Sequence, residues 1–161
     1  MPAPDGARGT RPDEPDEGSI FLRKRTRARE LALQFLYQWD QRGAEVLDGL
    51  TDFVVAGDRD PAVQRFARDL VRGVIDNLPA IDQGIAEVAE NWEIHRMAVV
   101  DRNVLRLASF ELMFQPDIPP KVSINEAIDL AKKYSTAESG AFVNGILDKI
   151  RKKCREDNKQ S

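Results

Sequence analysis

Apolar residues recur at intervals of three and four along most of the chain, the spacing that places them on one face of an α-helix. Between positions 28 and 39 the pattern predicts an amphipathic helix. A longer run at 63–78 follows Asp60 and Pro61, a helix-capping residue and a proline suited to the first helical turn. Further helices are predicted over 45–56, 80–90, 96–114 and 123–134, and from 135 to about 155. The pattern therefore predicts an all-α fold of about seven helices.

The predicted helix at 96–114 differs from the others because apolar residues occupy most of its circumference. A helix of this kind is packed by neighbours on several sides. Buried charges need a partner or a functional reason, so its charged residues Asp101, Arg102, Arg106 and Glu111 are informative. One interpretation is an intramolecular set of ion pairs that fixes how the other helices dock. The other is that Asp101 lies where the helix reaches the surface and contacts another protein.

Two short motifs predict where the last helices begin. Ser123 is followed three residues later by Glu126, and Ser135 is followed in the same way by Glu138. This spacing is typical of a capping box, in which the serine and the acidic residue each accept a hydrogen bond from the other's backbone amide. Both glutamates are therefore expected to have a structural role at a helix start.

Composition restricts the class of protein. The 161 residues are enough for one domain with a substantial core. No apolar run approaches the ~18 residues of a membrane span, and residues 1–19 carry no apolar segment typical of a secretory signal. With one cysteine, one histidine and no glycine-rich phosphate loop, neither a zinc site nor a catalytic pair is expected. We predict a cytoplasmic protein that is not an enzyme, has no cofactor or metal ion and does not associate with membranes.

Charge is distributed unevenly. Residues 1–22 form an acidic, proline-rich extension with five acidic and two basic side chains, and we expect it to be disordered. Residues 23–155 are predicted to form the helical domain, and residues 156–161 a disordered tail. Because residues 23–161 hold 22 basic and 22 acidic side chains, global charge indicates nothing about nucleic acid. Any such inference depends on local clusters.

The strongest cluster lies at the start of the first predicted helix, where five of the seven residues from 23 to 29 are basic: Arg23, Lys24, Arg25, Arg27 and Arg29. Cations at the amino-terminal end of a helix oppose its dipole and cost stability, which favours a functional explanation. An arginine-rich arm can bind RNA phosphates and stack on unpaired bases. A solvated helix end or a basic localisation signal would explain the same residues.

Three aromatic residues are further candidates. Tyr134 and Phe142 flank the predicted turn at 135–140, where they can serve as platforms for bases. Phe142 also fits the apolar face of the last helix, and taken alone it is better explained as core than as a platform. Tyr37 interrupts the apolar stripe of the first helix, so its ring is expected to be exposed and available to a partner.

Three segments resemble the NusB family of bacterial transcription antitermination factors. They are RTRARELALQ at 25–34 with LYQW at 36–39, DRNVLRLA at 101–108 with EL at 111–112, and KVSINEAIDLAK at 121–132 with FVNGILDK at 142–149. They occur in the order typical of the family and lie within residues 23–150. The resemblance implies two small helical bundles packed across each other.

The resemblance also implies a function. Members of the family pair with Nus-factor E, which is also a ribosomal protein, bind the boxA element of nascent RNA and join an RNA polymerase antitermination complex that supports ribosomal RNA synthesis and maturation. Carried over to this chain, it assigns RNA contacts to the basic arm and to the turn before the last helix, and partner contacts to two further residues. The RNA set is Arg23, Lys24, Arg25, Arg27, Arg29, Lys121, Glu138, Ser139 and Phe142, and the partner set is Tyr37 and Asp101.

Two alternatives follow from the same residues. A helical adaptor that binds only proteins would use the same scaffold without touching RNA. A NusB-like domain also precedes the catalytic domain of some ribosomal RNA cytosine methyltransferases, but a chain that ends at Ser161 is not expected to contain one. Thr26 and the acidic extension depart from the family pattern.

Overall fold

The computed structural model describes residues 16–160, with side chains described as far as 157. Seven α-helices account for most of this part, and it contains no strand. They are α1 (Glu17–Arg42), α2 (Leu50–Gly57), α3 (Pro61–Asp76), α4 (Leu78–Val88), α5 (Val99–Phe114), α6 (Pro120–Tyr134) and α7 (Ala137–Gln160). Short 3-10 segments at Ala44–Gly49 and Ile94–Arg96 precede α2 and α5. The predicted all-α class with about seven helices is confirmed.

The central helix α5 organises the packing. It contacts α1, α3, α4, α6 and α7, and residues 103–111 are all buried. Helices α1, α2 and α3 pack together on one side, while α6 and α7 form the largest contact on the other. The prediction of a helix apolar nearly all round is thus confirmed. Helix α5 is the element that the two bundles share.

The ends of the chain differ from the prediction. Helix α1 begins at Glu17, where the carboxylate of Asp16 accepts a hydrogen bond from the Ser19 amide. Residues 17–22 are therefore helical, and the expectation of disorder is wrong for them. The remainder of that expectation, for residues 1–15, lies outside the described residues. Helix α7 likewise continues to Gln160, through most of the predicted disordered tail.

This earlier start changes the interpretation of the basic arm. Arg23 is separated from Glu17 by more than one helical turn. The dipole acts mainly within the first turn of a helix, and that turn carries an acidic residue. The predicted electrostatic cost of clustered cations at the helix end is therefore wrong.

Both predicted capping boxes are also wrong. Helix α6 begins at Pro120, so Ser123 lies inside it and its hydroxyl donates to Glu111 instead. At α7, the hydroxyl of Thr136 accepts from the Ser139 amide, while the Ser135 amide donates to the Ala131 carbonyl. The last turn of α6 therefore takes the Ser135 backbone amide that Glu138 was expected to bind.

Ion pairs of α5 fix the neighbouring helices. Asp40 of α1 accepts two hydrogen bonds from the guanidinium of Arg102, at 2.6 and 2.7 Å. It also accepts from Asn103 at 2.9 Å and from Arg106 at 3.0 Å. Arg106 donates in turn to both carboxylate oxygens of Asp82 on α4. The interpretation of the α5 charges as an intramolecular set of ion pairs holds for Arg102 and Arg106.

Replacement of Gly73 by alanine tests the packing of α3 on α5. A Cβ at Gly73 would lie 2.1 Å from Cζ of Phe110, which is itself buried. We expect Gly73→Ala to lower the free energy of unfolding by about 1–3 kcal/mol, as overpacking does. Urea denaturation measures this. Gly145→Ala is the control, because that exposed helical glycine has no atom within 4 Å of a Cβ, and it should stabilise by up to about 1 kcal/mol. Equal effects of the two changes would contradict the packing.

The Asp40 cluster predicts a loss of stability in acid. Burial raises the pKa of Asp40, but hydrogen bonds from Arg102 and Asn103 outweigh it, so the pKa lies below its ordinary value. Its stabilising contribution is therefore complete above the unfolded pKa of about 3.9 and is lost as pH falls through the folded value. Asp40→Asn should reduce the dependence of stability on pH below about 4, measured by urea denaturation at several pH values. Asp48→Asn, at an exposed site, is the control. An unchanged acid dependence in Asp40→Asn would contradict the assignment.

Candidate RNA and partner interface

Three of the predicted cations are accessible. Arg23 is exposed and has no ion-pair partner among the described residues. The side chain of Lys24 is 46% exposed and forms an ion pair of 2.9 Å with Asp60. Hydrogen bonds from Lys24 and from the Ala62 amide lower the pKa of Asp60. Lys121 is exposed in the first turn of α6. These side chains can reach phosphates without breaking a buried contact.

Arg25 and Arg27 are half-buried and held by the protein. The guanidinium of Arg25 lies 3.8 Å from the centroid of the Phe66 ring and 4.7 Å from that of Phe21. Burial and then the neighbouring Arg29 lower the pKa of Arg25. Arg27 donates to the Gly57 carbonyl and lies near two carboxylates. Both arginines are therefore oriented by neighbours before any ligand binds.

The prediction that Arg29 contacts RNA conflicts with the structure. Arg29 is 3% exposed, and its guanidinium donates two hydrogen bonds of 2.8 Å to the carboxylate of Glu111. A third hydrogen bond of 3.2 Å goes to Glu126. A guanidinium paired in this way has no free edge for a phosphate. The basic run is therefore divided, because one turn of a helix carries neighbouring residues to opposite sides.

Side chains of α6 contact α1 within the arm and directly after it. Near the arm, the Thr26 hydroxyl donates to Glu126. Towards the end of α6, Glu30 accepts hydrogen bonds from Lys133 and Tyr134. Glu126 lies near the middle of α6, and Lys133 and Tyr134 lie at its carboxyl end. The carboxyl end of the arm therefore lies beside the end of α6 that leads into the turn before α7.

The second region contains a cavity of about 250 Å³, which we call the aromatic cavity. Its lining brings together Glu138, Ser139, Phe142 and Asp101, residues that the sequence assigns to different partners. The rings of Trp92 and Phe142 meet edge to face with centroids 5.6 Å apart. The full lining is Trp92, Met97, Ala98, Asp101, Thr136, Glu138, Ser139 and Phe142.

Within this cavity the predicted residues differ in exposure. Glu138 is exposed and Phe142 is half-buried. Part of the Phe142 ring packs on the core and part faces the cavity, so its role as a base platform stays a prediction. Ser139 is buried. Its hydroxyl donates a hydrogen bond of 3.2 Å to Asp101 Oδ2 and also lies within hydrogen-bond distance of the hydroxyls of Ser135 and Thr136. The assignment of Ser139 to a direct RNA contact therefore conflicts with its place inside the turn.

Asp101 is the one charged residue of α5 whose role remains open. It takes no part in the ion pairs found among the described residues, unlike Arg102, Arg106 and Glu111. Its Oδ1 atom is buried and has no hydrogen-bond partner in the described part of the chain. An unpartnered carboxylate oxygen beside an open cavity is a candidate acceptor for a hydrogen bond from another molecule.

Tyr37 is 47% exposed on α1, as its position off the apolar stripe predicts. It lies one turn before Asp40, which binds Arg102, the residue that follows Asp101 on α5. The Asp40–Arg102 pair therefore connects the helical turns that carry Tyr37 and Asp101. Both partner candidates therefore lie within one helical turn of the ends of this ion pair.

Sequence reasoning missed Trp92 and the residues around Arg25. Trp92 is 53% exposed and lies in the connection before α5, where no periodicity assigns a face. Phe21 and Arg65 line a groove with the arm, although they lie on α1 and α3 and are distant in the sequence. The one signal that could have pointed to Trp92 is a large aromatic residue in a connection between two predicted helices.

Within residues 16–160, no helix is long and apolar enough to cross a membrane. In the same residues, no group of three or more His, Cys, Asp or Glu side chains is arranged to hold a metal ion.

A comparison of two arginines tests the division of the arm. Arg29→Ala leaves Glu111 buried without its partner and should lower the free energy of unfolding by about 3–5 kcal/mol. Arg23→Ala removes the same charge from the surface and should change it by less than about 0.5 kcal/mol. Urea denaturation of both variants measures the difference. A small effect at Arg29 would contradict its structural role.

Comparisons with known proteins agree on one family. The NusB family model matches residues 26–152. Transcription antitermination protein NusB of Trichlorobacter lovleyi is 48% identical over 137 residues, 85% of this chain and 96% of that protein. The corresponding protein of Anaeromyxobacter dehalogenans is 52% identical over 128 residues, 79% of this chain and 89% of that one.

Solved structures agree with the sequence relatives. NusB of T. maritima superposes with a TM-score of 0.70 at 44% identity, covering 80% of this chain and 90% of that one. A chain in the crystal structure of antitermination factors NusB and NusE in complex with dsRNA gives a TM-score of 0.74 at 33% identity, covering 81% and 97%. The chain described here belongs to the NusB family.

Proposed function

We propose that this chain is a transcription antitermination factor that acts in the cytoplasm. It binds boxA-type nascent RNA together with a ribosomal protein serving as Nus-factor E, and joins the RNA polymerase antitermination complex. The observation that carries the proposal is the exposed cationic side of α1. The same family includes a NusB whose crystal structure contains NusE and dsRNA. Through this complex it supports ribosomal RNA synthesis and maturation.

The arm supplies the electrostatic part of RNA binding. Arg23, Lys24 and Lys121 are exposed and contact phosphates directly. Arg25 and Arg27 are already oriented by ring and carbonyl contacts, so less side-chain entropy is lost when RNA binds. Arg29 and Ser139 act indirectly, by holding α1 and the turn before α7 in place.

The RNA path follows α6 from the arm to the aromatic cavity. Along this path an unpaired base can stack on Phe142, whose ring is also contacted by Trp92. Glu138 is exposed at the rim and repels phosphates, so a base edge rather than the backbone is expected there. The cavity thereby reads an unstacked base, while the arm holds the backbone.

The partner protein binds at the contact between α1 and α5. Tyr37 offers an exposed ring, and Asp101 offers a buried oxygen that lacks a hydrogen bond. Asp101 also lines the aromatic cavity. A partner docked there lies next to the RNA path, so the two ligands are expected to bind cooperatively.

Partner dependence is the first test. Because residues 23–161 are electrically neutral overall, the arm alone should give weak RNA affinity, and addition of the ribosomal protein should increase it strongly. A gel-shift titration with boxA RNA, with and without that protein, measures this. Equal affinity of the chain alone and of the pair would contradict cooperative binding. Partner binding without any RNA binding would favour the adaptor function.

Salt dependence identifies the arm in the same assay. For single strands, log affinity falls against log salt concentration with a slope of roughly −0.7 for each phosphate contact. The double variant Arg23→Ala and Lys24→Ala should therefore reduce the slope by roughly 1.4. Lys149→Ala with Lys152→Ala removes the same charge from exposed positions of α7 and is the matched control. An equal reduction in the control would contradict a specific role for the arm.

A further inference from the structure

The first turns of α1 place an aromatic ring beside the arm. Ile20, Phe21 and Leu22 are all exposed, and Phe21 is 53% exposed despite its size. These residues precede the part of the chain that matches the family model, which begins at residue 26. They are helical because α1 starts at Glu17. The ring of Phe21 is therefore held on a rigid element next to the cations.

Phe21 lines a groove of about 210 Å³ between α1 and α3, which we call the arm groove. The other lining residues are Lys24, Arg25, Ala62, Arg65, Phe66 and Asp69. The two aromatic residues differ in environment, since Phe66 packs against the core and Phe21 faces solvent. The guanidinium of Arg25 contacts both rings. This contact fixes one side of the Phe21 ring and leaves the rest accessible.

Polar groups around the ring suit a nucleotide. Lys24 and Arg65 provide positive charge at the groove, and Arg65 is exposed without an ion-pair partner in the described residues. Asp69 is the one carboxylate in the lining. It repels phosphate but accepts hydrogen bonds from the amino groups of bases. A ring flanked by cations, with an acceptor nearby, combines the features of a stacking platform for single strands.

We propose that Phe21 is a base-stacking residue that extends the RNA-binding arm by one nucleotide. An unpaired base of the bound RNA lies against Phe21 in the arm groove, and the adjoining phosphates contact Lys24 and Arg65. The occupant is RNA because the groove shares Lys24 and Arg25 with the proposed phosphate-binding arm. This inference rests on the proposed function and adds a nonionic contact to it.

A competing role for Phe21 predicts the opposite result. The ring covers part of Arg25, whose pKa is lowered by burial. If Phe21 only shielded that guanidinium, its removal would free a cation and strengthen RNA binding. The sign of the change therefore separates a platform from a shield.

The experiment measures RNA affinity of the full chain paired with the ribosomal protein. Phe21→Leu keeps an apolar side chain but removes the ring, and should weaken binding about fivefold or more. The salt slope should stay unchanged because no charge is lost. Phe21→Trp should retain parental affinity. Leu22→Ala, which removes exposed apolar surface one residue away without removing a ring, should bind as the parent does.

Several outcomes would overturn the inference. They are tighter binding or unchanged binding by Phe21→Leu, loss of affinity in Phe21→Trp, and an equal loss in Leu22→Ala. Failure of the unmodified pair to bind RNA would instead overturn the proposed function, and with it this inference. Photocrosslinking with 5-iodouridine placed along the RNA gives an independent readout, since a stacked base should crosslink to the peptide that contains residue 21.

Discussion

The buried ion pair between Arg29 and Glu111 is the interaction on which the arrangement of helices depends. It joins α1 to α5 through two parallel hydrogen bonds of 2.8 Å. Two residues of α6 join the same cluster. Ser123 donates a hydrogen bond to Glu111, and Glu126 accepts one from Arg29. Burial of these charges is costly, and such pairs are retained only where the geometry and additional hydrogen bonds compensate. Here the compensation comes from three helices at once, so the pair also fixes where each of them lies.

That constraint determines what the basic arm can do. Arg25 and Arg29 are four residues apart and therefore on the same face of α1, which turns towards α3, α5 and α6. Arg23 and Lys24 project to the surface instead. A second anchor, between Asp40 and the α5 arginines, holds the other half of α1. With both halves fixed, the exposed cations keep a constant position relative to α6, so the RNA binding proposed for the arm does not require the helix to become ordered.

The aromatic cavity relates the two proposed ligands. Residues assigned separately to RNA and to the partner protein, Phe142 and Asp101, line the same space. The hydroxyl of Ser139 connects the turn before α7 to Asp101. A partner that contacts Asp101 therefore acts on the turn that presents Phe142. This arrangement gives a structural reason for the proposed cooperative binding of a protein and an RNA by a chain whose helical domain carries little net charge.

The sequence by itself determined the helical class, most helix positions and the surface exposure of Tyr37, because a period of three to four depends only on local spacing. It also indicated that the α5 charges need either a partner or a functional reason, since buried charges are costly. Tertiary structure alone decided which partner each charge has. Arg29 is indistinguishable from Arg23 in a basic run, yet it meets Glu111 across 82 positions of the chain. The starts of α6 and α7, at Pro120 and Ala137, likewise differ from the two serine motifs that predicted them. Helix α1 starts at Glu17, where Asp16 caps it, and Thr136 takes the capping role expected of Ser135. Pairing between distant residues depends on how the helices cross, which no local pattern encodes.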